Sequence, residues 1–316
     1  MNRRIDKLSQ AFGIALLLLV AGCASDPEPP ALPPAVVKAR ALHAQGQRLL
    51  DRGERGRASA LFDEARQLAE SLDDLAGLAQ ALNDLGTVAS VEGKQAEALD
   101  LHQRALALAE KLNRSDLLVA SLTHLGSAQQ LAGQAEQAAL LYGRALAAAR
   151  QAGDRHSEAV LLNNLGLIEL HTGAAEKAEA MFKEALAIND TLDDRSAKAA
   201  NLANLALIAQ EAGRLDEAQA RFETALELDK ASENRAAIAA DLAGLARLAE
   251  KQNRKEAALA FAQRAYWSYR AIGDMPRALA ELSRALTLAR EQGRRQEAAE
   301  LEAERKAISG TVGDAQ

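Results

Sequence analysis

Cysteine is nearly absent from this 316-residue chain: Cys23 stands alone, so no intramolecular disulfide can form. Aromatic residues make up only 3%, which leaves few large core plugs and asks the interior to rest on many small helix contacts. Five of the six prolines fall between Ala24 and Pro34, so the rest of the chain is almost free of helix breakers. The only long apolar run, Ala11 to Val20, falls short of the roughly 20 residues a membrane-spanning helix needs. Positive charge is also in deficit. The formal net charge of −6 argues against nucleic acid, whose phosphates call for a basic patch. Catalytic patterns are missing too. The five histidines, His43, His102, His124, His156 and His171, include no pair at the i, i+4 spacing of a zinc helix, and no phosphate-binding glycine loop or serine elbow occurs. No enzyme activity, metal, cofactor or small-molecule substrate is expected.

What is present is mostly alanine, leucine and charged helix formers, with 48% hydrophobic and 26% charged residues. The first 22 residues stand apart. Arg3, Arg4 and Lys7 precede the apolar run, as in a secretory signal. The run closes on Val20-Ala21-Gly22-Cys23, which resembles the lipobox of bacterial lipoproteins. That resemblance implies cleavage before Cys23, a diacylglycerol on its thiol and an acylated amino terminus, palmitate being the usual fatty acid. Ala24 rather than aspartate then favours the outer membrane, with the protein facing the periplasm. Losing Arg3, Arg4, Lys7 and Asp6 leaves the remainder two charges more acidic. Residues 23–34 follow as an acylated cysteine and proline-rich linker. Fully extended, it would lift the folded part roughly 30 Å from the lipid. As a spacer or as a plain leader, it is expected to hold no helix.

From residue 35 to residue 308 the chain repeats itself every forty residues. Leu42, Leu82, Leu122, Leu162, Leu202, Leu242 and Leu282 share a column, as do Ala58, Ala98, Ala138, Ala178, Ala218, Ala258 and Ala298. Gly53, Gly93, Gly133, Gly173, Gly213 and Gly293 share a third, with Asn253 as the exception. Asn tolerates the left-handed conformation, so this column marks a helix end at positive φ. A fourth column runs Gly46, Gly86, Gly126 and Gly166, then Ala206 and Ala246; a fifth is alanine from Ala65 to Ala265. Gly86, Gly93, Ala98 and Ala105 stand at the signature spacing of the tetratricopeptide repeat, which the pattern resembles. The period of forty rather than thirty-four, and the missing proline after the second helix, resemble the longer-repeat branch of that family. The resemblance implies an all-α, right-handed superhelical solenoid of about seven antiparallel helix pairs with a concave groove. Stacking neighbours is also what buries faces that a single pair leaves open. Asp73-Asp74, Gly153-Asp154, Asp193-Asp194 and Gly273-Asp274 read as turn and N-cap residues, not metal ligands. The last row degrades into a charged cap, and residues 309–316 read as a loose tail.

In the family the first helix of each pair lines the groove. Carried over, the resemblance puts the third, seventh and tenth positions of each row there. They include Asn83 and Thr87; Thr123, Ser127 and Gln130; Asn163, Leu167 and Leu170; Leu207 and Gln210; and Arg247. The groove would be uncharged and hydrogen-bonding early, apolar in the middle and charged late. Amides there can pair with the backbone of an extended peptide, and the leucines can take an apolar side chain. A second reading leaves those leucines half-buried between pairs. Tyr266-Trp267-Ser268-Tyr269 is the other irregularity. Polar alternates in the columns of Trp267 and Tyr269 suggest exposure and an aromatic interface; plugging the gap against the capping row is the competing reading. The expectation is a membrane-tethered periplasmic scaffold or adaptor that binds a protein or peptide segment. The alternatives are a pilotin-like assembly factor for an envelope machine, such as a type IV pilus or secretion system, and a regulator of a peptidoglycan enzyme or protease.

Overall fold

A computed structural model describes residues 33–313, and these hold fourteen α-helices and no strand. Cys23 and the expected signal and linker up to residue 32 lie outside the described residues. The first helices of the seven pairs are α1 (Pro34–Asp51), α3 (Leu75–Val91), α5 (Ser115–Leu131), α7 (Arg155–His171), α9 (Arg195–Glu211), α11 (Arg235–Lys251) and α13 (Met275–Glu291). Their partners are α2 (Arg55–Ser71), α4 (Gln95–Leu112), α6 (Ala135–Ala152), α8 (Ala175–Leu192), α10 (Leu215–Ala231), α12 (Lys255–Ala271) and α14 (Arg295–Gly313). Most helices have seventeen or eighteen residues, and two of them with two short turns fill the forty-residue period. The last helix runs through Gly313, past the point where a loose tail was expected to begin.

The turns follow from local chemistry. Asp74, Asp154, Asp194 and Asp274 accept hydrogen bonds from Gly77, Ser157, Ala197 and Arg277 amides at 3.0–3.2 Å, satisfying donors that the first turn of a helix leaves free. The glycine column ends the first helices at positive φ, and Asn253 takes the same conformation at φ 56°. A second left-handed column closes the second helices, where Glu233 sits at φ 54°, a conformation that costs a residue with a Cβ about 1–2 kcal/mol.

Inside each of the first five pairs, one ring fills the gap between the helices. Phe62, His102, Tyr142, Phe182 and Phe222 occupy one column of the second helices, and all are buried. Each ring lies where a glycine lacks a side chain. A Cβ on Gly46, Gly86, Gly126 or Gly166 would come within 2.4–2.7 Å of Phe62, His102, Tyr142 or Phe182. Phe222 instead leans on Gly244 of the following helix, which leaves room for Ala206 in its own pair. Burying a ring of this size contributes about 1.5–3 kcal/mol. The first five pairs thus hold one ring each, with alanine and leucine filling the rest, and α12 gathers Phe261, Tyr266, Trp267 and Tyr269.

Each helix packs on the helices next to it in sequence. The first helices additionally meet one another, α1 with α3, α3 with α5 and α9 with α11, and among the described residues no pair of second helices comes as close. The layer with the closer spacing is the inside of the curve, so the first helices line the concave side. Past α12 the solenoid is closed by α14, where Ile308 enters the core and Glu304 accepts from the Tyr266 hydroxyl at 2.6 Å.

Candidate functional site

Helical geometry decides which side chains of a first helix face the groove. The glycine column points at the partner helix, and the stripe on the opposite flank is open apart from Asp84, which its own partners cover. It follows the steps Gln80, Asp84, Thr87, Val91 in α3; Ala120, His124, Ser127, Leu131 in α5; Val160, Asn164, Leu167, His171 in α7; and Ala200, Asn204, Leu207, Glu211 in α9. This stripe shares only its third member with the positions expected from the family. The expected third and tenth positions turn away, toward the seam between successive first helices.

The consequences differ residue by residue. Asn83 is buried, donating to Ser121 Oγ at 2.9 Å and meeting His102 Nδ1 through its Oδ1 at 3.1 Å. Asn163 Oδ1 accepts from Asn201 and Asn204 Nδ2, both at 3.1 Å, so it ties α7 to α9. The hydroxyls of Thr87 and Thr123 bond back to the carbonyls of Asn83 and Val119 in their own helices. Gln210 is buried. Gln130 is exposed and accepts from the Tyr142 hydroxyl at 3.1 Å. Ser127 is exposed in the groove. Leu167 and Leu170 are half-buried against Phe182, Leu205 and Ile208, and Leu207 is half-buried against the neighbouring core. Arg247 reaches Glu281 at 3.8 Å. Trp267 is 55% exposed on α12, with the Arg270 guanidinium 5.1 Å from its ring, but Tyr269 is 5% exposed and belongs to the core.

Tyr269 shows why its column misled. The polar residues that share it, Asn189 and Asp229, are not exposed either. Asn189 donates to Asn201 at 2.7 Å across the seam between pairs, and Asp229 faces Asp241 at the equivalent place. Polar residues recur there in facing pairs, and the Asn189–Asn201 pair satisfies itself inside the core.

The early groove is also not uncharged. Asp84 accepts from His43 Nδ1 at 2.5 Å and from Gln47 Nε2 at 2.7 Å, while Gln80 Nε2 donates to His43 Nε2 at 2.9 Å. The hydrogen bond to Asp84, with the charge of that carboxylate, raises the His43 pKa against the lowering effect of burial. His102 and His124 stack at 5.5 Å with their rings 8° apart. Burial, and then the neighbouring His124, lower the His102 pKa to about 4; burial also lowers that of His124, against the charge of Asp84. His43 and His124 thus share one wall with His102 buried behind His124, although the three fall in different columns of the sequence. The signal was the pairing of His43 with Asp84, forty-one residues on, one more than the period. A cleft of about 590 Å³ opens beside them. Among the described residues, no group of three histidines, cysteines or carboxylates is placed to hold a metal ion.

In the middle of the groove, Val160, Asn164, Leu167, Asn204 and Leu207 form a surface of amides between aliphatic side chains. Asn164 makes no side-chain hydrogen bond with the described residues, so its amide is free for a partner. Later charges are mostly paired between successive first helices, Lys251 with Glu211 at 2.8 Å and Arg284 with Glu250 at 2.7 Å, and Arg284 also meets Glu281 of its own helix at 3.1 Å.

Two profiles described as tetratricopeptide repeat match the sequence, one over residues 113–191 and 196–266 and the other over 78–115. Together they take in more than half of the chain. No curated protein matches by sequence. Several solved structures share the fold. BtubC (BKLC) from P. vanneervenii superposes with a TM-score of 0.58 at 23% identity, covering 74% of this chain and 92% of its own. The signal transduction ATPase with a tetratricopeptide repeat sensor, PH0952 from Pyrococcus horikoshii, gives 0.69 at 17% identity over 88% of this chain. This chain spans only 43% of that protein. A Rap protein complexed with Competence and Sporulation Factor gives 0.63 at 15% identity, over 89% of this chain and 77% of its own. At these identities the likeness is one of fold.

Proposed function

This chain belongs to the tetratricopeptide repeat family, and from that premise we propose that it is a membrane-tethered periplasmic scaffold holding an extended segment of a partner protein in its concave groove. Family and fold make it a protein-interaction module. The groove chemistry supports the rest of the reading. Asn164 has an unused amide at the centre of the inner face, with Val160, Leu167 and Leu207 around it. An extended peptide offers alternating backbone groups and side chains, and amides set between aliphatic residues can serve both. The Rap protein complexed with Competence and Sporulation Factor is a relative in fold, and it supports the reading by analogy alone.

Photo-crosslinking in living cells tests the groove. A crosslinking residue at Asn164 or Asn204 should give the same adduct, lost with Leu167→Asp or Leu207→Asp, and none should form from Leu140 on α6, which is 72% exposed. An adduct that forms equally well from Leu140 sinks the groove assignment. The tether rests on the Val20–Cys23 pattern. Mass measurement of the protein isolated from membranes should show a chain beginning at an acylated Cys23, and Cys23→Ser should release the folded part from the membrane fraction or leave the signal uncut.

A further inference from the structure

The first helix pair has no described pair before it, so one side of α1 is left open. In α3, α5, α7, α9 and α11 the positions that match Ala41, Gln45 and Arg48 are buried, or half-buried at Leu85, under the preceding pair. Ala81 and Val88, Leu161 and Ile168, and Leu205 and Ile208 are buried there. In α1 Ala41, Gln45 and Arg48 hold these positions and are exposed, with Val37 and Arg52 exposed at the two ends of the same stripe. Gln45 stands in a column that is otherwise Leu85, Leu125, Leu165, Leu205, Leu245 and Ala285. Arg48 stands in one that is otherwise Val88, Ala128, Ile168, Ile208, Leu248 and Leu288. The face is therefore built as an end, and it is a cationic end on an acidic protein. Between residues 34 and 57 lie Lys38, Arg40, Arg48, Arg52, Arg55 and Arg57, against only Asp51 and Glu54. Glu54 is taken by Arg57, and Lys38 bonds Glu64 at 2.8 Å. Arg48, Arg52 and Arg55 pair with no acidic side chain among the described residues. The chain outside the structure leaves from this same end, and Cys23 lies ten residues before the described part begins.

We propose that the open face of α1 rests on the anionic phospholipid headgroups of the membrane that holds the chain, with Arg48 and Arg52 meeting phosphates and Val37 entering the interface beside them. This extends the tether reading of the preceding section and rests on it for the anchor. The linker's reach of roughly 30 Å is an upper limit, so it keeps this end, and no other, close to the lipid. A short tether makes the local lipid concentration high, so a few cations suffice to hold the end down. Each is worth about a fivefold change in partitioning at an anionic surface, an attraction that decays within a Debye length. The overall negative charge repels the remaining repeats from the same surface. The solenoid then stands on its first pair with its groove clear of the membrane.

The test uses the full chain, processed as it is in cells, with Val37→Trp as a reporter in a Trp267→Phe background. It is mixed with vesicles of phosphatidylethanolamine and brominated phosphatidylglycerol. The indole at position 37 should shift to the blue and be quenched. Adding Arg48→Gln and Arg52→Gln should lower vesicle partitioning of unacylated chain about 25-fold and remove the quenching in acylated chain. Quenching should also be absent with brominated phosphatidylcholine. Equal quenching in phosphatidylcholine, indifference to the two glutamines, or a blue shift that grows with protein concentration in the absence of vesicles overturns the proposal; the last would mean that a second copy covers the face. Mass measurement on the same preparation separates the two readings. An acylated chain with an unquenched indole sinks the end-face proposal and leaves the anchor intact. An unacylated chain that still binds phosphatidylglycerol vesicles, and leaves them in high salt, sinks the anchor and keeps the end face.

Discussion

The buried pair Asp229 and Asp241 gives the sharpest handle on the energetics of the solenoid. The two side chains face each other across the seam between α10 and α11, each no more than 2% exposed, and Asp229 Oδ1 and Asp241 Oδ2 have no hydrogen-bond partner among the described residues. Burial, and then the charge and hydrogen bond of Asp229, raise the Asp241 pKa from 3.8 to about 8. One repeat earlier the same positions hold Asn189 and Asn201, joined at 2.7 Å without any charge. Folded Asp241 binds a proton that the unfolded chain releases above pH 4. The stability that this site contributes is therefore highest in acid and is lost as the pH rises from about 4 to about 8. At about 1.4 kcal/mol for each pH unit, the loss at pH 7 reaches roughly 4 kcal/mol as a ceiling, since neighbouring groups relax. Replacing both residues, Asp229→Asn with Asp241→Asn, copies the earlier seam and abolishes the titration. Because a solenoid opens locally, hydrogen exchange of the α10 and α11 amides is the suitable assay. The double variant should gain about 2–4 kcal/mol of protection at pH 7.5 and almost none at pH 4. Equal protection of the two proteins at pH 7.5, or a gap that persists undiminished at pH 4, would refute the reasoning.

The opposite end of the chain should respond to pH with the opposite sign. His102, lowered to about 4, binds fewer protons folded than unfolded, so its contribution is complete above pH 6.5 and is lost as the pH falls toward 4. Acid should loosen α3 to α5 by up to about 3 kcal/mol, and His102→Phe should blunt that loss in exchange experiments between pH 6.5 and 4. Gly166→Ala brings a Cβ to 2.7 Å from Phe182 Cε1, and the overpacking of about 1–3 kcal/mol should outweigh about 1 kcal/mol of helix propensity. A urea midpoint that rises would count against the ring-on-glycine packing. Glu233→Gly removes a left-handed strain and should stabilise by about 0.5–1 kcal/mol in the same assay, after the added freedom of the unfolded chain is subtracted. Trp267, being exposed, should be quenched freely by acrylamide in the native protein.

The helix pairs, their turns and the close approach at Gly46 to Gly166 were legible in the sequence because each recurs along the array and has one physical cause. The register of the groove was not. Asn83, Asn163 and Gln210 lie one step of about 100° from the groove stripe, and a column shows that a position is variable without showing which way it faces. Family expectation supplied the facing and turned it into the seam. Tyr269 failed for a related reason: polarity in a column was taken as exposure, whereas Asn189 and Asp229 are buried, facing Asn201 and Asp241 across the seams. The His43–Asp84 contact crosses from one row to the next with a one-residue offset, so a search along columns passes over it. The ring column was readable in principle, since Phe62, His102, Tyr142, Phe182 and Phe222 lie forty apart. The mixture of three residue types concealed it.

The seams between pairs impose an order on the repeats. Successive junctions present Ala109 to Ser121, Ala149 to Leu161, Asn189 to Asn201, Asp229 to Asp241 and Tyr269 to Glu281. The units look like identical tiles, but their edges are cut differently. Shuffling two of them would set Leu161 against Asp229 or Asn201 against Ala149, leaving a buried amide or carboxyl unanswered. A repeat that has drifted apart at its edges in this way can no longer slip by one unit when the chain folds, nor be deleted without re-cutting the tile beside it.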